Sequence, residues 1–175
     1  MVRQVNEKMM PETASKYGFE THDHSNCVHG SMDRAEALLQ ERGARFTQAR
    51  RKVFEILLTD HKAMGAYAIA EQLAEAGLSA QPVVAYRALD FLEAHGLIHR
   101  IEGKNAFIAC AHGQAHEGGT IFFICTQCEK VLEIDAEPET QRLQEKASAV
   151  GFKIENTVME AKGLCPACQA QSAAH

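Results

Sequence analysis

The chain carries two Cys-x-x-Cys motifs, Cys125-Thr-Gln-Cys128 and Cys165-Pro-Ala-Cys168, which residues 129–164 separate. One such motif brings two thiolates to a metal ion from a single tight turn, so two motifs supply the four sulfur ligands of a tetrahedral structural zinc site. Because the separation is longer than in a short zinc ribbon, the intervening residues must form a small fold of their own. The alternative, two unrelated pairs of buried or redox-active thiols, is disfavoured by the spacing.

Length and composition indicate an ordinary soluble chain. It has 175 residues, enough for one domain or two small ones, and is 46% hydrophobic and 23% charged. No apolar run approaches the roughly 20 residues of a membrane span, and the amino terminus lacks the pattern of a signal peptide. We therefore expect a cytoplasmic protein without membrane contact, in which six cysteines suit metal ligation better than disulfides.

The net charge of −5 is unevenly distributed along the chain. Residues 1–33 carry three basic and five acidic side chains (−2), residues 34–108 carry ten and nine (+1), and residues 109–175 carry five and nine (−4). The middle segment is the only one that is not acidic. Its cations cluster at Arg45, Arg50, Arg51 and Lys52, which is a weak indication of nucleic-acid binding.

Residues 1–30 lack a sustained hydrophobic period and are rich in polar side chains, which predicts a mobile amino-terminal arm. Four potential metal ligands fall within eight residues of this arm, namely His22, His24, Cys27 and His29. Such a tract can capture zinc, and the alternative is a solvated tail with incidental histidines.

Helical periodicity dominates residues 31–109. The predicted helices run from a capping box at Asp33 to Gly43, from Thr47 to Asp60, from Ala66 to Ala76, and from Pro82 to Gly96. Two β-prone runs follow, Leu97–Ile101 and Asn105–Ala109, and Gly103 between them predicts a hairpin. Helices followed by a hairpin predict a winged helix-turn-helix DNA-binding domain, with the hairpin as its wing.

The helix Val84–His95 would lie in the major groove of DNA. Its apolar residues recur on one face, so Tyr86, Arg87 and Asp90 project from the other. Arg87 is the best candidate for a base or phosphate contact, because the guanidinium fork matches guanine edges and phosphates. A solvated helix face is the alternative.

Residues 110–119 form a predicted hinge, and residues 120–175 a small α+β domain. Its predicted elements are strands Thr120–Ile124 and Val131–Ile134, helix Glu137–Val150, and a half-buried strand Phe152–Glu160. So small a unit has little core and an exposed sheet edge. Pairing of that edge with a second copy is our physical reason for expecting a homodimer.

Several motifs occur together in one order: Arg45-Phe-Thr-Gln-Ala-Arg50, Ala85-Tyr-Arg-Ala-Leu-Asp-Phe-Leu92, Gly96-Leu-Ile-His-Arg100, and the two cysteine pairs. Over about residues 34–168 the chain resembles the ferric uptake regulator family, and in particular its zinc-sensing branch. The resemblance implies a homodimeric, metal-dependent repressor with an amino-terminal winged helix and a carboxy-terminal dimerisation domain.

The resemblance also implies a second, regulatory metal site. Matching by motif, its ligands fall on His99, Cys110, His116 and Glu133, with His112 as a rival to His116. The thiolate of Cys110 discriminates between metals, because iron- and manganese-sensing sites favour nitrogen and oxygen ligands. By the same matching, Tyr67 and Arg87 correspond to DNA-contacting residues.

These expectations combine into one functional hypothesis: a repressor that binds two zinc ions per chain, one structural and one regulatory, and recognises a palindromic double-stranded operator of zinc-uptake genes. The alternatives are an iron, manganese or peroxide sensor of the same family and, more remotely, a zinc enzyme. A zinc deaminase needs a His-x-Glu acid beside Pro-Cys-x-x-Cys. Here Glu117 follows His116 directly and Leu164 precedes Cys165, so we expect no enzyme and no small-molecule substrate.

Overall fold

The fold comes from a computed structural model, which describes Phe19 and residues 24–60, 62–79, 81–110, 119–155 and 157–172, with only the backbone of residues 24–27. Within these ranges helices precede strands in the first half of the chain and alternate with them in the second. The elements are α1 (His24–Glu41), α2 (Gln48–Leu58), α3 (Ala66–Glu75), α4 (Pro82–Ala94), β1 (Ile98–Ile101), β2 (Ala106–Ala109), β3 (Thr120–Cys125), β4 (Val131–Asp135), α5 (Glu137–Ala149), β5 (Met159–Gly163) and α6 (Pro166–Ser172).

Helices α1 to α4 surround the larger hydrophobic core. The Thr47 hydroxyl caps α2 by accepting from the Arg50 backbone N–H, and Pro82 opens α4, where its missing N–H costs no helical hydrogen bond. Each helix turns one apolar face inward. The fully buried members of this core include Ala35, Val53, Ile69, Leu73, Ala85, Leu89 and Leu92.

Strands β1 and β2 pair antiparallel, and a short 3-10 turn, Glu102–Lys104, joins them. Met64, between α2 and α3, bridges Phe107 of β2 through two backbone hydrogen bonds. The hairpin is therefore anchored to the helices as a wing, and the predicted winged helix is confirmed.

Residues 119–172 form a second, α+β domain with a three-stranded sheet of order β4-β3-β5. Strand β3 pairs antiparallel with β4 and parallel with β5, and α5 lies in the connection from β4 to β5. Both outer strands are sheet edges within the described residues. We call this unit the carboxy-terminal domain.

A small hydrophobic cluster joins the two domains. Ile101 and Ile108 of the wing pack with Phe122, Ile124 and Val131 of the three-stranded sheet, and all five are buried. Burial of such side chains stabilises a fold by roughly 1.5–3 kcal/mol each. The wing therefore rests on the carboxy-terminal domain.

Two sequence-based element predictions are wrong. Helix α1 begins at His24, so it includes the last seven residues of the predicted arm, and Asp33 lies inside it rather than capping it. The apolar face runs through Val28 and Met32 before it reaches Ala35, and both residues pack against the core. This spacing of four and then three residues keeps the apolar face on one side of the helix, so the helix extends back past Asp33.

The predicted strand Phe152–Glu160 is displaced towards the carboxy terminus, since β5 starts at Met159. Met159 pairs with Ile121, next to Thr120 where β3 begins. In this register the predicted strand residues Phe152 to Glu155 lie beyond the start of β3 and have no neighbouring strand to pair with. Phe152 is 65% exposed despite the alternating pattern around it.

No helix in the described part of the chain is long and apolar enough to cross a membrane.

Candidate metal centres and nucleic-acid interface

The four cysteines of the two motifs lie in one cluster. Cys125 ends β3 and Cys165 follows β5, and because Cys125 pairs with Gly163 the two motifs sit side by side at one end of the sheet. The four sulfurs lie within 4.8 Å of one another, with Cys128 Sγ 3.7 Å from Cys165 Sγ. Four sulfurs about 2.3 Å from a tetrahedral zinc would be about 3.8 Å apart.

The surroundings of these thiols favour charge on some and oppose it on others. Backbone N–H groups of Cys128, Cys165 and Gln127 lower the pKa of Cys125 to about 6, against the opposing effect of burial. Burial and the neighbouring thiols raise the pKa of Cys168 to about 12. Without a cation the cluster cannot carry four thiolates, because like charges at these distances disfavour one another. Its sulfur-only, largely buried donor set fits a structural zinc ion.

A second cluster lies where the wing meets the carboxy-terminal domain, and we call it the hinge cluster: His99, Cys110 and Glu133. His99 lies on β1, Cys110 directly follows β2 and donates its N–H to the Leu97 carbonyl, and Glu133 lies on β4. Their ligand atoms lie within 4.8 Å of one another. Both domains therefore contribute to one potential metal site.

Glu133 is at the centre of the hinge cluster. Its Oε1 atom lies 3.0 Å from His99 Nε2 and 3.6 Å from Cys110 Sγ. It is only 7% exposed and is the one charged side chain that is buried within the described residues. A buried carboxylate requires a positive partner, because the cost of removing its charge from water is several kcal/mol.

The hinge cluster favours positive charge. Burial works to lower the pKa of His99, but the hydrogen bonds and charges of Cys110 and Glu133 outweigh it and raise that pKa to about 10. Nε2 of His99 is fully buried, and its ion-pair partner is Glu133 Oε1, 3.0 Å away. Imidazole, thiol and carboxylate around one point form a donor set that fits zinc.

Most of the other histidines singled out from the sequence lie wholly or partly outside the described residues. His112 and His116 lie in residues 111–118, outside the described residues, as does His22. The side chains of His24 and Cys27 are also outside the described part. His29 is exposed on α1 and joins no group of three potential ligands among the described side chains.

The candidate DNA contacts lie on one surface of the winged helix. Tyr67 near the start of α3 and Tyr86 on α4 are 70% and 40% exposed, and their rings meet edge to face at 6.5 Å between centroids. Arg87, next to Tyr86, is also exposed. The opposite face of α4 is buried, so this helix presents its polar face outward.

Much of the basic cluster identified from the sequence is engaged within the fold. The Arg50 guanidinium lies 3.4 Å from the Phe91 ring centroid and donates to the Arg45 carbonyl. Arg51 pairs with Glu36, and Lys52 pairs with Glu55. Charge counting alone therefore overstates how much of this cluster is available to a nucleic acid.

One neighbour of the four-cysteine cluster was not anticipated. Phe19 packs against Cys125, Cys165 and Cys168 as a partly buried ring. The sequence contains no signal for this contact, because nothing in the local pattern around Phe19 points to a partner more than a hundred residues away.

Together, these features define a class of protein: a winged helix whose wing is joined to a small α+β domain at a cluster of soft and charged metal ligands. A family comparison makes this more specific. Residues 41–162 match the ferric uptake regulator family, and the chain belongs to that family. Its members are transcription regulators, not enzymes.

Individual relatives support the same assignment. The chain is 34% identical over 137 residues to the zinc uptake regulation protein of Escherichia coli (strain K12), covering 78% of this chain and 80% of that one. It is 30% identical over 134 residues to the ferric uptake regulation protein of Legionella pneumophila, covering 75% and 96%.

Solved structures agree with the fold. A zinc uptake regulator complexed with zinc and DNA superposes with a TM-score of 0.79 at 32% identity, over 83% of this chain and 97% of that chain. Holo XcZur gives a TM-score of 0.74 at 33% identity, over 81% and 98%. The α+β class with an amino-terminal winged helix and a separate carboxy-terminal domain is thus confirmed.

Proposed function

We propose that this chain is a zinc-responsive transcriptional repressor that binds operator DNA as a zinc-loaded dimer and controls zinc-uptake genes. The observation that carries the proposal is the hinge cluster, because its ligands come from the wing and from the carboxy-terminal domain. The name of the Escherichia coli relative and the zinc–DNA complex of a structural neighbour support the choice of metal and of partner.

We assign the candidate ligands to two zinc sites, one structural and one regulatory. Cys125, Cys128, Cys165 and Cys168 form a closed site that supports folding of the carboxy-terminal domain, as structural zinc commonly does. His99, Cys110 and Glu133, with His116 or its rival His112 as the fourth ligand, form the regulatory site. Bound zinc would supply a positive charge there that compensates Glu133 and the Cys110 thiolate.

The regulatory step follows from where these side chains are attached. His99 moves with the wing, Cys110 with the start of the hinge and Glu133 with β4, so all three can contact one ion only in one relative arrangement of the domains. A ligand shifts an equilibrium by its differential affinity for the two states. The concentration of available zinc would thus determine the orientation of the winged helices.

DNA recognition is assigned to the exposed surface of α3 and α4. Arg87 can reach base edges or phosphates, and the Tyr67–Tyr86 pair provides amphipathic contact area beside it. Two winged helices related by a dimer twofold axis would read two half-sites, which predicts a palindromic operator.

The dimer itself would form through the carboxy-terminal domain. Leu143 and Val150 on and after α5 lie along a groove with Phe152 and Val158, and all four are exposed large hydrophobic residues. Apolar patches of this kind commonly mark protein–protein interfaces. A second copy covering this groove would bury them, and the unpaired edges of β4 and β5 offer further backbone partners.

A metal titration of DNA binding tests the proposal. The probe is a duplex selected by the wild-type chain from a random-sequence pool in the presence of zinc, and binding is followed with zinc, iron and manganese in turn. We expect zinc to restore binding to chelator-treated protein. Restoration by iron or manganese but not by zinc would assign the chain to another metal-sensing function in the family, and equal binding with and without metal would reject metal control altogether.

A further inference from the structure

The turn at the tip of the wing is held by the carboxy-terminal domain at a place separate from the hinge cluster. The carboxylate of Glu160, on β5, accepts from the backbone N–H of Glu102 at 2.6 Å and from that of Gly103 at 3.1 Å. Lys162, two residues further along β5, donates to the Gly103 carbonyl at 3.4 Å. Both polar groups of Gly103 are thus engaged by β5.

Strand register explains why these two side chains reach the turn together. Residues two apart on a strand project from the same face. Glu160 pairs with Phe122 and Lys162 with Ile124, and Phe122 and Ile124 are the residues that pack against the wing. Glu160 and Lys162 therefore lie on the same face of the sheet as the hydrophobic cluster that joins the two domains.

The turn is also shaped for this contact. A Cβ atom on Gly103 would lie 2.7 Å from Glu160 Oε2 and 2.9 Å from Lys162 Nζ, closer than ordinary contacts allow. The turn ends at Asn105, whose φ of 48° is left-handed. Glycine thus lets the two side-chain ends lie close to the turn, and a larger residue would displace them.

A salt bridge and a backbone bridge flank this contact. Lys104 Nζ lies 2.8 Å from Glu129 Oε1, in the turn of the first cysteine motif. Lys62, between α2 and α3, forms an antiparallel bridge with Lys130. The winged helix therefore meets the carboxy-terminal domain at several points that contain no hinge ligand.

We propose that Glu160 is a positioning residue that latches the wing turn to β5 and thereby lowers the amount of zinc needed to complete the DNA-binding arrangement. The proposal rests on the proposed function for its zinc dependence, whereas the latch itself is a property of the fold. The latch stabilises the closed arrangement before the hinge ligands meet an ion. The apparent affinity of that site rises with the fraction of molecules already closed.

Hydrogen exchange measures the latch without DNA. In the full chain carrying its tightly held metal, amide exchange at Glu102 and Gly103 is compared between wild type, Glu160→Ala, Glu160→Gln and a control, Glu41→Gln, at an exposed carboxylate on α1. We expect exchange at the two amides to quicken about two- to tenfold in Glu160→Ala, which is the contribution of about one hydrogen bond. Glu160→Gln, which keeps an acceptor oxygen, should be intermediate, and the control should match wild type. Unchanged exchange in Glu160→Ala would overturn the latch.

Gly103→Ala disturbs the same contact by changing the residue on the wing. The added methyl group displaces the flexible ends of Glu160 and Lys162 and leaves both residues in place. If the latch is real, Gly103→Ala and Glu160→Ala have strongly non-additive effects on the zinc midpoint, because each removes the same interaction. Additive effects would contradict it.

The functional consequence is a shifted zinc titration. With the zinc-selected duplex, Glu160→Ala should need about two- to tenfold more free zinc for half-maximal binding and reach the same maximum. An unchanged midpoint would refute the coupling of the latch to zinc. If the wild-type chain itself lacks zinc-dependent binding, the proposed function fails, and the exchange measurement still decides whether Glu160 holds the wing.

Discussion

The two clusters of potential metal ligands in this protein differ in which parts of the fold they connect. The four cysteines all belong to the carboxy-terminal domain, where they join the end of β3 to the residues that follow β5. The hinge cluster joins β1 and the end of β2 to β4, and so connects two domains. A ligand set inside one domain can stabilise a fold, whereas a set divided between two domains can also control their arrangement.

The chemistry of each cluster matches this difference. Sulfur-only coordination is closed and binds tightly, and nothing in it depends on domain orientation. The hinge cluster combines a buried carboxylate, a thiol and an imidazole whose pKa is raised to about 10. The buried carboxylate of Glu133 favours a cation beside it, and a movement of the wing would carry His99 away from Glu133. Breaking each cluster should therefore have a different consequence.

The largest effect is expected from Cys125→Ser, which removes a ligand of the four-cysteine site. Structural zinc contributes about 10–16 kcal/mol in small zinc-finger peptides, comparable to the whole stability of a domain at about 5–15 kcal/mol. The carboxy-terminal domain should lose its ordered fold and its tightly held metal. Metal content by mass spectrometry and thermal melting measure both, and a variant that keeps full metal content and melting temperature would contradict the structural assignment.

Cys110→Ser removes a thiol from the hinge cluster and tests the proposed regulatory role of that cluster. The change is nearly isosteric, so the fold and the four-cysteine metal should persist. The increase in DNA affinity on adding zinc, about 5- to 150-fold in typical coupled systems, should disappear. Gel-shift titrations with and without zinc give this ratio, with Cys125→Ser as the contrasting variant. A zinc response equal to wild type would remove Cys110 from the regulatory site.

How far the sequence predicts these regions depends on whether the relevant signal is local. The Cys-x-x-Cys spacing and the helical periods of α2 to α4 are local, and they predict the cysteine cluster and the winged helix. No local sequence pattern links His99, Cys110 and Glu133, and only the resemblance to a family predicted that they form one site. Their proximity is a consequence of how the wing packs on Phe122 and Ile124.

Contacts that depend on register or on chain segments far apart were not predictable. The strand expected from Phe152 starts only at Met159, opposite Ile121 near the start of β3, and the alternation of residues does not encode where the neighbouring strand begins. The Glu160 contact with Gly103 depends on that same register. Phe19 contacts a cluster of cysteines that are more than a hundred residues away in the sequence, and neither composition nor hydrophobic periodicity predicts this contact.

Arg87→Ala should separate DNA contact from both metal sites. Loss of a base or phosphate contact costs about 1–2 kcal/mol, a factor of about 5–30 in affinity. The loss should appear at saturating zinc, while zinc binding in the absence of DNA stays as in the wild type, because Arg87 lies on α4 and contributes to neither cluster. Fluorescence anisotropy at saturating zinc gives the DNA affinity, and a zinc titration of the DNA-free chain gives the zinc midpoint. A shift in zinc midpoint without loss of maximal affinity would show that Arg87 acts through the switch instead.

The smallest effect is expected at Phe19, and it sharpens the contrast between the clusters. Its ring packs against the cysteine cluster, which contains no hinge ligand among the described residues, so it should protect only a metal bound by the cysteines. A sulfur–aromatic contact is worth about 0.3–1.5 kcal/mol, so Phe19→Ala should speed transfer of that zinc to a chelator about two- to tenfold. Tyr67→Ala, which removes an exposed ring from α3, is the matched control and should leave the rate unchanged. The contrary result would be a Phe19→Ala variant that loses zinc from the cysteine cluster at the wild-type rate but has an altered zinc dependence of DNA binding. Phe19 would then act on the regulatory site, and the proposed division of tasks between the two clusters would be wrong.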